Sequence, residues 1–252
     1  MVRLEDKIVL VTGASNGIGS AIAKACAQEG AKVAIHYRSS RAGAERTLAE
    51  MSGEGHCLMQ ADVSKPEEVH RLIDETLGHF GKIDVLVNNA GIYELSPFDT
   101  PDYETWQDDW KRILDTNLMS AVNATYCVLP SMRKNGGGKV INVASRSAFR
   151  AETEAPAYAV SKAGMVNLTR CLARAEAVNG ILSYCIAPGW VETAMAREGM
   201  EQMAEEILAQ IPLGRIASVE DIAGVCVFLA SSAADYLTGI TIPVAGGSWL
   251  ST

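Results

Sequence analysis

The chain has 252 residues and a mass of 26.9 kDa, which suits one large domain or two small ones. Hydrophobic residues make up 48% and charged residues 21%, proportions that exclude a disordered chain. The formal charge of −8 argues against a nucleic-acid binder, which would carry a basic face. No run of 18 apolar residues is present to span a membrane, and the charged N-terminus does not fit a signal peptide.

Cysteine and histidine placement predicts no metal site. The six cysteines include no CxxC pair and no spacing typical of zinc, so we expect reduced thiols in a cytoplasmic protein. The four histidines, at positions 36, 56, 70 and 79, are scattered singly. We therefore expect a small-molecule ligand, and neither a metal, a membrane nor a nucleic acid.

Short β-branched runs alternate with longer helical stretches along the chain. Strands are predicted at 7–12, 32–37, 56–61, 83–88, 138–143, 181–187 and 240–242, and helices at 18–29, 41–51, from 66 onward, 110–132, 157–178 and 219–231. Strands separated by helices indicate βαβ units and a parallel sheet, which right-handed crossovers make doubly wound. We predict one Rossmann-type α/β domain over residues 1–252, with about seven strands and helices on both faces of the sheet.

The first predicted strand runs into a glycine-rich turn, Thr12-Gly13-Ala14-Ser15-Asn16-Gly17-Ile18-Gly19. Glycine lets the backbone turn sharply and approach a ligand, and the following helix offers unpaired N–H groups to an anion. The spacing is GxxxGxG rather than the commonest dinucleotide fingerprint, GxGxxG. Taken alone, the turn is equally explained by packing of the strand against the helix, but its place after the first strand favours phosphate binding.

Six further motifs follow in an order that resembles the short-chain dehydrogenase/reductase family over essentially the whole chain. They are Asp62-Val63, Asn88-Asn89-Ala90-Gly91, Asn117, Ser145, Tyr158-Ala159-Val160-Ser161-Lys162 and Pro188-Gly189-Trp190-Val191-Glu192-Thr193. The resemblance implies an NAD(P)-dependent oxidoreductase, with 3-oxoacyl-carrier-protein reductases as the most similar subgroup. Ala144 and the Val244-Ala245 pair depart from residues common in the family, but neither change touches the catalytic set.

The resemblance implies a catalytic set of Asn117, Ser145, Tyr158 and Lys162. Tyr158 would be the general acid/base, and the charge of Lys162, four residues later on the same helix face, would lower the pKa of the phenol. Ser145 would donate a hydrogen bond to the substrate oxygen. Asn117 would hold a water through a local kink in its helix, and Lys162 would also bind the nicotinamide ribose.

A cofactor site at the carboxyl ends of the strands is also implied. Its members would be Gly13, Ser15, Asn16, Gly17, Ile18, Gly19, Tyr37, Arg38, Ser39, Asp62, Val63, Asn89, Ala90, Gly91, Tyr158, Lys162, Pro188, Gly189, Val191 and Thr193. Tyr37 and Arg38 stand where NAD-dependent members carry an acid, which favours NADP(H), with NAD(H) as the alternative. Asn16, where relatives often carry a second basic residue, predicts modest selectivity.

We therefore predict hydride transfer between NADP(H) and a carbonyl or secondary alcohol, on a 3-oxoacyl thioester, a ketone or a sugar-type substrate. Arg146 and Arg150 could dock an acidic carrier protein, although Glu152 and Glu154 could instead pair with them. A non-enzymatic NADP(H)-binding sensor or scaffold of the same fold is the alternative.

Two further expectations concern the substrate and the assembly. Residues 193–215 form the predicted substrate loop, whose apolar residues either suit an organic substrate or form the core face of a lid helix; they are Met195, Met200, Met203 and Leu208. Two long helices carry more apolar residues than one sheet face requires, which predicts a homotetramer or at least a dimer. Examples are Ile113, Leu114, Leu118, Leu168 and Leu172.

Overall fold

Within residues 4–193 and 204–249, which the computed structural model describes, seven strands form one parallel sheet. The strands are β1 Ile8–Val11, β2 Lys32–Tyr37, β3 Cys57–Gln60, β4 Val85–Asn88, β5 Gly138–Val143, β6 Ile181–Pro188 and β7 Thr241–Val244. Their order is β3-β2-β1-β4-β5-β6-β7, and every neighbouring pair is parallel. The direction of winding reverses between β1 and β4, which confirms the doubly wound topology and places a ligand crevice at that point.

Helices cover both faces of the sheet. They are α1 Gly17–Gln28, α2 Arg41–Ala49, α3 Pro66–Phe80, α4 Tyr103–Leu114, α5 Ser120–Lys134, α6 Pro156–Glu176, α7 Ala204–Ala209 and α8 Val219–Ala230. The helices α1 and α8 pack together on one face, and α3, α5 and α6 cover the other. In this part of the chain, no helix is both long and apolar enough to cross a membrane.

Burial on both faces explains why the strands are continuous apolar runs. In β1, Val9 and Val11 belong to the core shared with α1 and α8, whereas Leu10 belongs to the core shared with α3 and α5. In β4, Val85 packs on the first side and Leu86 on the second. Side chains alternate across a strand, so a strand covered on both sides needs apolar residues at every position.

The predicted helix at 110–132 is the largest difference from the sequence analysis. The structure has α4, then a π-helical turn at Asp115–Met119, then α5. The prediction began the helix seven residues late, although Tyr103, Trp106 and Trp110 already follow the spacing of one helix face, and the first turns of α4 are mostly exposed. Asp102 marks the true start, since its carboxylate accepts a hydrogen bond from the backbone N–H of Thr105 at 2.9 Å. For the other predicted helix and strand ends, the observed position differs from the predicted one by at most two residues.

Four of the five apolar residues offered as a sign of oligomerisation pack inside the molecule, so that part of the prediction was wrong; the fifth, Leu114, is half-buried. Ile113 and Leu172 are buried, and Leu118 and Leu168 pack against the core of α5 and α6. The large apolar side chains that these helices expose are different ones: Tyr103, Met119, Tyr126 and Val160.

The predicted substrate loop falls partly outside the described residues. Met195, Met200 and Met203 lie there, in the stretch 194–203. The described part of the loop includes α7, where Ile207 is buried and Leu208 is 40% exposed. A helix therefore occupies this loop, with at least one side chain turned to the core.

Candidate active site

The glycine-rich turn between β1 and α1 forms one wall of a cleft. Gly13 and Gly17 have φ values of +66° and +53°, a left-handed conformation that glycine adopts without a steric penalty. A Cβ atom at Gly19 would lie 2.5 Å from Nδ2 of Asn89 and closer still to the carbonyl oxygen of Gly13. The N-cap residue Asn16 gives no side-chain hydrogen bond to the first turn of α1. The N–H groups of that turn are therefore suited to a phosphate.

The cleft follows the carboxyl ends of the central strands and has a volume of about 360 Å³. It is lined by sixteen of the twenty predicted cofactor residues, namely Gly13, Ser15, Asn16, Gly17, Ile18, Gly19, Arg38, Ser39, Asp62, Val63, Asn89, Ala90, Gly91, Tyr158, Lys162 and Thr193. Tyr37, Pro188, Gly189 and Val191 do not line it. Tyr37 is buried at the end of β2, and the N–H of Gly189 donates to the carbonyl oxygen of Val244 at 2.9 Å.

Several cleft residues were not predicted from the sequence: His36, Ser40, Ile92, Thr116, Val143 and Ala144. Most of them have ordinary side chains that only the tertiary fold brings to the cleft. His36 is the exception, because a titratable residue inside an apolar strand signals either a hydrogen-bonded core position or a site.

His36 links the glycine-rich turn to the end of β3. Its Nδ1 accepts a hydrogen bond from the backbone N–H of Gly13 at 3.0 Å, and its Nε2 lies 3.0 Å from the carbonyl oxygen of Ala61. An N–H donor can pair only with an unprotonated nitrogen, so the ring is neutral and its proton is on Nε2. Burial lowers the pKa of His36 to about 4, although the Ala61 carbonyl and the charge of Asp62 oppose the shift. A neutral His36 therefore fixes the turn on the sheet.

Opposite charges lie at the end of the cleft beyond β2. The side chain of Arg38 is exposed there, beside Ser39. Burial opposes ionisation of Asp62, but hydrogen bonds from Ser64 and the charges of Arg38 and Lys65 hold the pKa of its carboxyl below the usual value. This end of the cleft thus has one exposed guanidinium group next to an ionised carboxylate.

The predicted pair Tyr158 and Lys162 lies on α6, one helical turn apart, and both residues line the cleft. Nζ of Lys162 donates to the carbonyl oxygen of Val143 at 3.0 Å and lies 5.6 Å from the centre of the Tyr158 ring. Ser145 lies two residues after the end of β5, and its side chain opposes the rise in the pKa of the Tyr158 phenol that burial causes. Three of the four predicted catalytic residues are therefore neighbours.

Asn117, the fourth, lies in the π-helical turn, which confirms the expected kink. Its Oδ1 accepts a hydrogen bond from the backbone N–H of Ile92 at 2.8 Å, and its Nδ2 donates to the carbonyl oxygen of Ile92 at 2.9 Å. The same Nδ2 lies 3.2 Å from Oγ of Ser161 on α6. Asn117 is fully buried and holds the chain after β4 against α6.

The expected lowering of the Tyr158 pKa is wrong for the protein without a cofactor. Burial raises the pKa of Tyr158 to about 12, and Ser145 offsets only part of this rise. Burial also lowers the pKa of Lys162 to about 8. Desolvation disfavours the charged form of each group. The sequence showed that the two residues share a helix face, but it did not show that Lys162 is buried and Tyr158 half-buried.

Arg146 and Arg150, the predicted carrier-protein contacts, are both engaged within the chain. Cζ of Arg146 lies 4.8 Å from the centre of the Trp190 ring, and this guanidinium is buried. Nε of Arg150 lies 3.6 Å from Oε1 of Glu152, which was the pairing expected as the alternative. These two arginines therefore do not form an open basic patch beside Ser145.

Comparison with known proteins identifies the family. A family model described as "Enoyl-(Acyl carrier protein) reductase" matches residues 13–248. The chain is 38% identical to the 3-oxoacyl-[acyl-carrier-protein] reductase FabG of Staphylococcus epidermidis, over 97% of this chain and 100% of that protein. It is 36% identical to the FabG of Vibrio cholerae, over 99% of this chain and 100% of that protein. The chain belongs to the short-chain dehydrogenase/reductase family.

Solved structures of this family agree with the fold. A gluconate 5-dehydrogenase from Burkholderia cenocepacia, in complex with NADP and tartrate, aligns with a TM-score of 0.90 and 32% identity, over 98% of this chain and 96% of that one. The structure of a 7α-hydroxysteroid dehydrogenase aligns with a TM-score of 0.90 and 31% identity, over 98% of this chain and 95% of that one. That enzyme is complexed with NADH and 7-oxo glycochenodeoxycholic acid. As a member of the short-chain dehydrogenase/reductase family, this chain is an NAD(P)-dependent oxidoreductase.

Proposed function

We propose that the protein transfers a hydride between NADP(H) and a carbonyl or secondary alcohol, with Tyr158 as the acid/base group. The observation that carries this proposal is that Tyr158 and Lys162, one helical turn apart, both line the cleft that begins at the glycine-rich turn. Ser145 lies near enough to Tyr158 to influence the pKa of its phenol. The named relatives are reductases and dehydrogenases, and none of them supports the alternative of a non-enzymatic sensor or scaffold.

The cleft fits a dinucleotide. The space beside Gly13 and Gly19 admits no side chain, so backbone can approach a pyrophosphate closely, and the first turn of α1 supplies N–H donors. When bound, the nicotinamide would supply or accept the hydride. Lys162 would hold the ribose hydroxyls, and Asp62 and Asn89 would line the adenosine half. The other predicted cofactor residues remain part of this proposal on the strength of the family resemblance.

The protein side chains would manage the proton and the developing charge. In reduction, the Tyr158 phenol would give its proton to the substrate oxygen, and the Ser145 hydroxyl would stabilise that oxygen by a hydrogen bond. A bound substrate oxygen and a charged Lys162 would both favour the phenolate, opposing the effect of burial on the Tyr158 pKa. Asn117 would keep the π-helical turn open for a water that returns the proton.

Replacing Tyr158 with Phe tests this assignment. Loss of a positioned acid should lower kcat at least about a hundredfold, while the cofactor dissociation constant, measured by fluorescence titration, stays within about twofold. Tyr236→Phe is the matched control, because that tyrosine is fully exposed away from the cleft and its loss should leave kcat unchanged. If Tyr158→Phe keeps kcat within tenfold of the wild type, Tyr158 is not the acid/base group.

We infer a modest preference for NADP(H) from Arg38. An exposed guanidinium at the end of the cleft can give two hydrogen bonds to a 2′-phosphate, which supports this choice. Asp62 lies nearby and would repel that phosphate, so together with Asn16 it limits the preference. A charge-assisted contact of about 1.5–3 kcal/mol corresponds to a preference of roughly ten- to hundredfold.

The cofactor assignment is tested by kcat/KM for NADPH and NADH. Arg38→Ala should reduce the NADPH value about tenfold or more and leave the NADH value nearly unchanged. Arg46→Ala removes the same charge from α2 at an exposed position that does not line the cleft, so it should change neither value. A wild type that prefers NADH, or an unchanged ratio in Arg38→Ala, would show that Arg38 does not select the cofactor.

The substrate belongs to one of three proposed classes: 3-oxoacyl thioesters, ketones or sugar-type molecules. The names of the FabG relatives support the first class, and the names of the gluconate and steroid dehydrogenases support the others. The engagement of Arg146 and Arg150 within the chain weakens the case for a carrier protein. Turnover of a thioester, a cyclic ketone and a polyol, measured on one preparation, separates the three classes. Residues 193–215 are the proposed substrate loop.

We propose that the protein is a homotetramer or at least a dimer in the cytoplasm. Tyr126 is 77% exposed on α5, and Tyr103, Met119 and Val160 expose further apolar surface on the same group of helices. The six cysteines, all within the described residues, are free, which supports a reducing compartment. Light scattering at micromolar concentration should give a multiple of 26.9 kDa, and a purely monomeric species would contradict the proposal.

A further inference from the structure

A buried guanidinium lies beside the proposed catalytic serine. Arg146 follows Ser145 directly in the chain and begins the 3₁₀ turn Arg146–Ala148. Its side chain reaches the segment after β6, where Cζ lies 4.8 Å from the centre of the Trp190 ring. Only 8% of Arg146 is exposed to solvent. An arginine is rarely buried to this extent unless an anion is paired with it, so the surroundings of this side chain need an explanation.

The guanidinium of Arg146 lacks a hydrogen-bond acceptor of its own. In the described parts of the chain, 4–193 and 204–249, none of its five N–H groups donates a hydrogen bond and no carboxylate forms an ion pair with it. The face of the Trp190 ring attracts a cation, but it offers no lone pair to these donors. The contact with Trp190 therefore holds the guanidinium in place and leaves its N–H groups available.

The neighbouring charges leave the positive charge of Arg146 uncompensated. Arg150 and Glu152 pair with each other, since Nε of Arg150 lies 3.6 Å from Oε1 of Glu152. Burial and the charge of Arg150 lower the pKa of Arg146, and the charge of Glu152 opposes them. An arginine nevertheless stays protonated in a protein. One positive charge therefore remains here for an anion to bind.

The position of this charge favours an anion that the substrate carries. The contact between Arg146 and Trp190 joins the segments that follow β5 and β6. Both segments also line the cleft, through Ala144 and Thr193, at the strand ends where open parallel sheets bind their ligands. Ser145, whose hydroxyl would meet the reacting oxygen, is the chain neighbour of Arg146. An anion bound to Arg146 would therefore hold the substrate at a second point.

A carboxylate on a small molecule is the anion that fits this arrangement. The planar fork of a guanidinium matches a carboxylate and gives it two parallel hydrogen bonds. A carboxylate also brings one negative charge to balance one positive charge, whereas a phosphate brings close to two. Because Arg146 is largely buried, the terminal carboxylate of a small molecule reaches it more easily than an acidic protein surface does.

We propose that Arg146 is a specificity-determining residue which binds a carboxylate of the substrate, so that the compounds turned over are oxo acids and the matching hydroxy acids. The inference rests on the proposed oxidoreductase function and deepens it, because it selects the ketones and sugar-type molecules that carry an acid group. Arg146 would hold the carboxylate while Tyr158 and Ser145 hold the reacting oxygen. Binding at two points fixes the carbon that exchanges the hydride.

Pairs of an acid and its neutral ester test the proposal. The probes are pyruvate, acetoacetate and levulinate, which differ in the spacing of ketone and carboxylate, each compared with its methyl ester. With NADPH, kcat/KM should be about ten- to hundredfold higher for the acid than for the ester in at least one pair, the effect of a charge-assisted hydrogen bond. The formal charge of −8 on the chain would by itself favour the neutral ester, so a preference for the acid requires a local cation.

Arg146→Met removes the cation and keeps an unbranched side chain against Trp190. It should lower kcat/KM for the preferred acid by about ten- to hundredfold and change the value for the ester by less than about threefold. Arg174→Met is the matched control, because it removes the same charge from an exposed position in the last turn of α6 and should change neither value. If Arg146→Met does not fold, Arg146→Lys, which keeps a charge but loses the fork, must still lower the ratio of acid to ester.

Calorimetric titration gives a measurement that does not depend on turnover. With NADPH present, pentanoate should bind the wild type at least about tenfold more tightly than pentanamide does, and Arg146→Met should lose this difference. A purely structural role for Arg146 would lower the affinity for both compounds alike. Equal affinities of pentanoate and pentanamide for the wild type would contradict the proposal.

The two levels of inference fail in different ways. If the wild type turns over none of these ketones and no thioester, cyclic ketone or polyol, the proposed function is wrong. If it turns over ketones but treats every acid like its ester, or if Arg146→Met lowers both values of a pair equally, the role of Arg146 is refuted and the proposed function stands. An equal loss in Arg174→Met would also refute that role, because the preference would then come from the overall charge.

Discussion

Acid should destabilise this protein through His36, the buried histidine beneath the glycine-rich turn. The Gly13 N–H points at Nδ1 of His36, so protonating that nitrogen would replace a hydrogen bond with a repulsive contact between two donors. The ring is also buried, and a charge there would be poorly solvated. Both effects are absent in the unfolded chain. Protonation of His36 therefore favours unfolding.

The size of this effect follows from the pKa values. Burial lowers the pKa of folded His36 to about 4, whereas an unfolded histidine has a pKa of about 6.5. Between these two values the unfolded chain binds more protons, so the free energy of unfolding falls as the pH falls. Within this window, lowering the pH by one unit reduces the free energy of unfolding by at most about 1.4 kcal/mol. The free energy of unfolding therefore falls by about 2 kcal/mol between pH 7 and pH 5. The decrease levels off near pH 4, where the total loss is roughly 3 kcal/mol.

Urea denaturation at pH 7 and pH 5 measures this loss. His36→Asn removes the titrating group and keeps an oxygen that can accept from Gly13, so the variant should lose about 2 kcal/mol less than the wild type between these pH values. His79→Asn removes an exposed histidine and should behave like the wild type. Comparison of the three proteins cancels the other titrating groups. If the wild type and His36→Asn show the same pH dependence, His36 does not titrate as the buried ring requires.

Two other variants test the cofactor turn and the helix ends. Gly19→Ala should weaken cofactor binding at least about tenfold in a fluorescence titration, because its Cβ would displace Asn89 and the Gly13 carbonyl; unchanged affinity would show that the turn relaxes freely. Ser218→Ala should lower the free energy of unfolding by about 1 kcal/mol, because Ser218 and Asp221 form a capping box at the start of α8. A change in the urea midpoint no larger than the experimental error would show that this cap is dispensable.

The sheet could be predicted from the sequence because its strands are apolar on both faces. Val9, Leu10 and Val11 pack into two different cores, so the run carries no alternation and indicates a buried parallel strand. The start of α4 was missed, because its first turns are mostly exposed and their aromatic residues contact each other rather than the core. Trp106 and Trp110, one turn apart, pack with ring centres 5.3 Å apart. With Tyr103 they follow the spacing of one helix face, so the sequence did carry a periodic signal here, and the prediction overlooked it.

The relative positions of the site residues could be predicted, whereas the chemistry that depends on tertiary burial could not. Family order placed Ser145, Tyr158 and Lys162 correctly relative to one another. The pKa of the phenol was predicted in the wrong direction, because helix spacing reports distance but not solvent access. Glu152 was considered only as a possible partner for an arginine. Its hydrogen bond with the 3₁₀ turn Arg146–Ala148 has a geometry that no sequence spacing specifies.

A buried polar network explains how these residues keep their relative positions. Nδ2 of Asn88, the last residue of β4, donates to Oδ1 of Asn142 in β5 at 2.9 Å, and Nδ2 of Asn142 donates to Oγ1 of Thr169 on α6 at 2.8 Å. Nδ2 of Asn88 also lies 3.3 Å from Oγ1 of Thr125 on α5. Apolar contacts would tolerate small sliding of strands and helices, whereas a paired buried amide is costly to separate from its partner. The network therefore fixes β5, which leads to Ser145, against the helix that carries the acid/base pair.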